Sequence, residues 1–225
     1  ELLQASFRAG RELGRAQAQP LRDDALRTPQ ACFDALPAPW PQRQMAALQA
    51  LEGQRMNYLD TAPDGRGAAA CVCLHGVGQW SHHLHALVEA LAAGGAPRVL
   101  APDLIGFGKS DKPKREAFHT LEKHRDVLLQ WLDHVGAERV VLIACDSMRA
   151  LGEALAAAAP GRVQALLIAA ESAAPELEEA RRAPFPDRGF EAALRAFGKP
   201  RKARGIAPEE AAALARRAMG YFAPT

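Results

Sequence analysis

The chain has 225 residues, of which 48% are hydrophobic and 24% charged, with a net charge of +2. That length and apolar share suffice for one globular domain with its own core and exclude a disordered chain. The near-neutral balance leaves no electrostatic footprint for nucleic acid, and no apolar run approaches the roughly 18 residues of a membrane-spanning helix. Neither nucleic acid nor a membrane is therefore an expected partner.

Residues 1–28 carry Leu2, Leu3, Phe7 and Leu13 among arginines, a weak helical pattern. Glu1, Glu12, Asp23 and Asp24 argue against a targeting peptide, so this stretch is expected to be an N-terminal extension with a solvated helix. "LPAPWPQRQ" is a loop by its prolines. "AALQALEGQRMNYLDTAPDG" suggests two strands joined at Gly53 and closed by a turn at Pro63-Asp64-Gly65. Short apolar strands then alternate with helices. "AAACVCLHG" precedes the helix "SHHLHALVEALAAGG", "PRVLAPDL" precedes "LEKHRDVLLQWLDHVG", "RVVLIAC" precedes "SMRALGEALAAAAPGRV", and "VQALLIAA" follows. A last capped helix is expected within "GIAPEEAAALARRAMGYFAPT". Roughly six strands alternating with helices make a mainly parallel, doubly wound sheet, whose ligands sit beyond the carboxyl ends of the strands. Residues 75–80, 103–111, 144–149 and 170–172 fall at those ends.

The cysteines are Cys32, Cys71, Cys73 and Cys145, with no CxxC pair. Cys71 and Cys73 alternate on one strand and so share a face. Free buried thiols in a reducing, cytoplasmic setting are the expectation, with no metal and no cofactor.

"LHGVGQWSHHLHAL", "RVLAPDLIGFGKSDKP" and "VVLIACDSMRALG", in that order, resemble the haloalkane dehalogenase branch of the α/β-hydrolase superfamily. "LRTPQACFDALP" and "APFPDRGFEAALRAF" extend the resemblance from Leu26 to Phe197. It implies an α/β fold with a sheet of the α/β-hydrolase type, here with C-terminal strands and much of the helical cap missing. The expected division is an extension at 1–28, the core at 29–172 and a remnant cap and helical segment at 173–225.

The resemblance also implies a nucleophile elbow after the third buried strand. Counting from Ile143 forward and Pro160 back places Asp146 there, with Ser147 one step late. In that chemistry the carboxylate attacks a carbon bearing halogen, and a histidine-activated water hydrolyses the alkyl ester. Asp146 as a plain helix N-cap is the alternative. The oxyanion hole would be the backbone amides of Val77 and Ser147. Where the family places asparagine or glutamate this chain has Val77, and in place of tryptophan it has Ser147, so halide binding should be weak. Met148 and Arg149 stand where glycines are expected. Trp80 is a candidate pocket residue, whereas Trp131 fits a core position.

The base is missing from the pattern. Histidines 75, 82, 83, 85, 119, 124 and 134 all precede Asp146, so deacylation should be slow. Glu171 sits one residue out of register with the acid of one subgroup and is otherwise a surface residue. His82, His83 and His85 hint at a metal site, but solvated helix histidines are the expectation. "GFGKS" lacks the spacing of a phosphate loop. Three functions remain open: a haloalkane dehalogenase-like hydrolase impaired in turnover, acting on a small apolar substrate such as a haloalkane or ester; a catalytically inactive α/β-hydrolase-like binding protein; and a serine esterase using Ser147.

Overall fold

The computed structural model describes residues 23–62, 68–198, 200 and 202–222. The expected helix near the N-terminus and the turn at 63–65 lie outside the described residues. Within them, β1 (Gln42–Met45), β2 (Met56–Asp60), β3 (Ala69–Leu74), β4 (Val99–Pro102), β5 (Arg139–Cys145) and β6 (Val163–Ala169) form one sheet. Their order is β1-β2-β4-β3-β5-β6. The four strands β3 to β6 run parallel, while β1 and β2 form an antiparallel edge. This is the mainly parallel sheet that the alternation of short apolar runs and helices predicts.

Side-chain alternation along β3 and β5 explains the double winding. Ala70, Val72, Leu74, Val140, Leu142 and Ala144 point to one layer, where α2 (Leu121–His134) and α3 (Arg149–Ala158) bury Val127, Leu128, Trp131, Leu151 and Leu155. Cys71, Cys73, Val141, Ile143 and Cys145 point to the other. There they meet Leu87, Val88 and Leu91 of α1 (His85–Ala93) and Ala211, Leu214 and Ala218 of α6 (Pro208–Met219). Cys71 and Cys73 do share a face. Trp131 is fully buried and meets Tyr58 edge-on at 5.5 Å, a core residue as its spacing indicates. Truncating such an indole costs about 3–5 kcal/mol. Gly152 lets α3 close on the sheet, since a Cβ there would stand 2.9 Å from the Ala144 Cβ.

Three local expectations need correction. The strand paired with β2 is Gln42–Met45, so the proline-rich loop ends at Pro41, and 49–51 is a 3-10 turn. Glu52, with φ of 52°, and Gly53 turn the chain into β2. The helix expected from Ser81 starts as a 3-10 turn over Ser81–Leu84 and becomes α-helical only at His85. The helix expected over 147–163 is α-helical only over Arg149–Ala158, after a 3-10 turn at Asp146–Met148.

The chain then crosses the carboxyl edge of the sheet. Ser172–Ala173 pairs antiparallel with Arg204–Gly205, and between them lie α4 (Glu178–Arg182) and α5 (Ala192–Phe197). Ala193 and Leu194 of α5 join the core. At the other end of the chain Ala25–Leu26 pairs with Lys112–Pro113, and Arg27 forks onto Asp111 at 2.8 and 3.1 Å. Thr28 donates to the Pro184 carbonyl, tying this segment to the one before α5.

Candidate active site

Three strand ends converge at the carboxyl edge: Gly76 to Gln79 after β3, Asp146 and Ser147 after β5, and Glu171 after β6. A bulge sets their level. Val140 pairs with Val163 but Val141 with Ala165, so β6 takes up one extra residue at Gln164. From there the register runs to Cys145 opposite Ala169, and continuing it brings Glu171 beside Ser147.

Polar contacts follow from that placement. The Ser147 amide donates to Glu171 Oε2 at 2.8 Å, and the Val77 amide donates to the Ser147 hydroxyl at 3.0 Å. Glu171 Oε1 accepts from Gln79 Nε2 at 2.7 Å. Gln79 Oε1 accepts from the Gly76 amide at 3.0 Å and from the Cys145 thiol at 3.7 Å. The second Gln79 N–H reaches the Arg204 carbonyl at 3.1 Å, and Arg204 Nη2 donates to the Glu171 carbonyl at 2.6 Å. Gly76 makes this approach possible, because a Cβ there would collide with Glu171 Oε1 and Ser147 Oγ. The alternative of Glu171 as a plain surface residue is therefore corrected: the bulge draws it into the cluster. Gln79 was not singled out by the sequence. Apart from Gly76, its partners Cys145, Glu171 and Arg204 stand 66 to 125 residues away, beyond any local pattern.

Asp146 lies outside this cluster. Its carboxylate is 59% exposed and accepts from Arg149 Nη2 at 2.8 Å and Nε at 3.1 Å. The expectation that it faces the amides of Val77 and Ser147 is corrected, since both amides have the partners just named. It does not cap the following helix either, as neither the 3-10 turn nor α3 has a side-chain cap. Among the described residues Glu52 is the one non-glycine with positive φ, so the backbone at Asp146 is unstrained. With Met148 and Arg149 after it, the chain leaves β5 through an ordinary 3-10 turn.

Trp80 is buried, with its indole N–H on the Ala180 carbonyl at 2.9 Å and its ring edge-on to Phe33. It anchors α4 to the loop after β3. The expectation of solvated helix histidines is also corrected. His82 stacks on Trp80 at 5.1 Å, and His82 and His83 are buried in a 3-10 turn. Burial holds His82 near a pKa of about 4 and His83 at about 3. His75 accepts the Leu104 amide at Nε2, 3.0 Å, so its proton is on Nδ1, against the Gly76 carbonyl, and burial lowers its pKa. His119 and His124 are buried and lowered too, the latter to about 3. His134 closes α2 and is exposed. No histidine is hydrogen-bonded to Asp146, Ser147 or Glu171 among the described residues. No group of three or more His, Cys, Asp or Glu with metal-holding geometry occurs among them either. Desolvation raises the thiols of Cys71, to about 12, and of Cys73 and Cys145.

The "GFGKS" loop closes on its own carboxylate. Asp103 accepts from the Ser81 and Lys109 amides, both at 2.8 Å, and from Asn57 Nδ2 at 2.9 Å. Those donors are thus not free for a phosphate.

A doubly wound sheet with polar groups gathered after its third, fifth and sixth strands defines an α/β-hydrolase. The family model described as alpha/beta hydrolase fold matches residues 70–219, and the chain belongs to that family. Within it the chain is similar to the haloalkane dehalogenases. It is 40% identical to the one from Mycolicibacterium paratuberculosis over 51% of this chain and 37% of that protein. It is 36% identical to the one from Mycobacterium marinum over 65% and 49%. The tetrameric haloalkane dehalogenase DpaA from Paraglaciecola agarilytica NO2 superposes with a TM-score of 0.66 at 25% identity, covering 88% of this chain and 77% of that one. The chain spans less than half the length of the two curated relatives.

Proposed function

We propose that this chain acts as a haloalkane dehalogenase-like hydrolase, with Asp146 as nucleophile and turnover impaired at the second step because no histidine among the described residues is bonded to it. The observation that carries this reading is the position of Asp146, the first residue beyond β5 at the carboxyl edge of the sheet. Its exposed carboxylate can be reached by a small apolar substrate such as a haloalkane. An Oδ atom attacks the carbon, the carbon–halogen bond breaks, the halide departs with the bonding pair, and an alkyl ester remains. Ester hydrolysis needs a base to take the proton of water, a contribution of about 100-fold to 10,000-fold. The buried histidines, held neutral but enclosed, do not reach Asp146 in the bonding pattern described above. The amides of Val77 and Ser147 would serve as oxyanion donors once the Ser147 hydroxyl and the Glu171 carboxylate, which occupy them in this structure, move aside; Trp80, buried against Ala180 and Phe33, is not part of that site. No helix among the described residues is long and apolar enough to cross a membrane. The four free cysteines suit a cytoplasmic setting.

Intact mass spectrometry after exposure to a primary bromoalkane tests the nucleophile. One alkyl group should appear on Asp146, remain in Ser147→Ala and vanish in Asp146→Asn. An adduct that survives Asp146→Asn, or none in the wild-type chain, contradicts the assignment.

A second reading is a catalytically silent binding protein. It is favoured by the Asp146–Arg149 pair and by the occupied amides of Val77 and Ser147. The serine esterase reading has Ser147 Oγ engaged with the Val77 amide, with no imidazole bonded to it. Hydrolysis of p-nitrophenyl acetate lost in Ser147→Ala would restore it.

A further inference from the structure

We propose that the Ser147 amide and the Gln79 side chain form a seat for a single carboxylate, whose resident occupant is Glu171. The match is one donor to one oxygen: Ser147 N–H on Oε2 at 2.8 Å and Gln79 Nε2 on Oε1 at 2.7 Å. A planar two-oxygen anion satisfies both donors at once, whereas a spherical halide meets them only by compromise. The seat is built rather than fortuitous. Gln79 is 2% exposed, and its orientation is fixed, since turning the amide would set Nε2 against the Gly76 N–H it now accepts from. Its remaining N–H is held by the Arg204 carbonyl, and Arg204 grips the backbone of the occupant. The β6 bulge and the bare Cα of Gly76 supply the level and the room.

Ser147 itself is exposed, so solvent reaches one side of the seat. The ligand class is therefore a small monocarboxylate, or the carboxyl terminus of a peptide, which competes with the Glu171 side chain. The inference shares the Ser147 amide with the proposed oxyanion hole and to that extent rests on the same site. It does not require Asp146 to react.

The test uses the whole chain with Glu171→Ala, titrated with sodium acetate or sodium bromide at equal ionic strength. The Ser147 amide resonance and the thermal midpoint are followed. Acetate should shift the Ser147 amide saturably and raise the midpoint, binding about tenfold or more tightly than bromide and about tenfold or more tightly than to the wild type. Glu171→Gln keeps the side-chain size and gives the same readout if the alanine variant does not fold, with acetate affinity between those of the other two chains. A folded variant whose Ser147 amide ignores acetate, or equal binding of acetate and bromide, or wild-type binding as tight as the variant's, overturns the proposal. Asp146 alkylation is not read here, so failure of the nucleophile assignment is seen separately.

Discussion

The loop around Asp103 and the turn after Cys145 stand at the ends of the two strands that flank β3 in one sheet, yet they hold their aspartates in opposite ways. Asp103 is fully buried and accepts three hydrogen bonds from three separate segments. Asp146 is exposed and meets one arginine three residues along the chain, at the start of α3. The difference teaches what each carboxylate can do. Asp103 is a cross-brace whose charge is already answered, whereas Asp146 contributes little to the fold and remains available to solvent.

The largest contrast to be measured is therefore in stability. Asp103→Ala leaves the Ser81 and Lys109 amides and one of the two Asn57 Nδ2 hydrogen bonds without a partner, a loss of about 3–5 kcal/mol. Asp146→Asn should change the unfolding free energy by less than about 0.5 kcal/mol, because an exposed pair contributes little. Equal losses at the two positions would break the comparison.

Lys112 sharpens it at the buried loop. Lys112 is 1% exposed, its Nζ donates to the Gly108 and Ser110 carbonyls at 2.6 Å, and burial lowers its pKa to about 7. With the folded pKa below the unfolded value, the unfolded chain binds more protons between about pH 7 and 10.5, and stability rises with pH across that window. The slope should approach about 1.4 kcal/mol per pH unit at most. Lys112→Met should flatten it, as read by urea denaturation at several pH values.

On the site side, Gly76→Ala places a methyl group against Glu171 Oε1 and Ser147 Oγ. Both are flexible ends that can retreat, so the cost should be about 1–2 kcal/mol, with the Ser147 amide losing protection from hydrogen exchange. The smallest stability effect belongs to Arg149→Ala, within about 0.5 kcal/mol. It frees the Asp146 carboxylate and should speed alkylation several-fold.

The sequence and the coordinates agree where one residue's surroundings are set by near neighbours. The apolar run of β5 and the helical run closed by Gly136 mark β5 and α2 directly, because burial of both sheet faces and a glycine stop are local chemistry. The edge strand Gln42–Met45 is hidden by its polar middle, whose Arg43 and Gln44 face solvent. Burial of His82 and His83 depends on Trp80, whose ring meets both and packs on Phe33 from a distant part of the chain, and Glu171 depends on a bulge at Gln164. Neither leaves a local trace in the chain. Asp146 was legible as a position after a strand. Its outward direction, onto Arg149 three residues on, was not, since the Ser147 amide beside it is taken by Glu171, 24 residues further along the chain.

Bromide release per chain, followed over time with a primary bromoalkane in excess, tests the central claim most directly. The account predicts a burst of about one bromide per chain with the ester held on Asp146, then release slower by about 100-fold or more. Steady release of many bromides per chain at the burst rate, or release unchanged in Asp146→Asn, would contradict it.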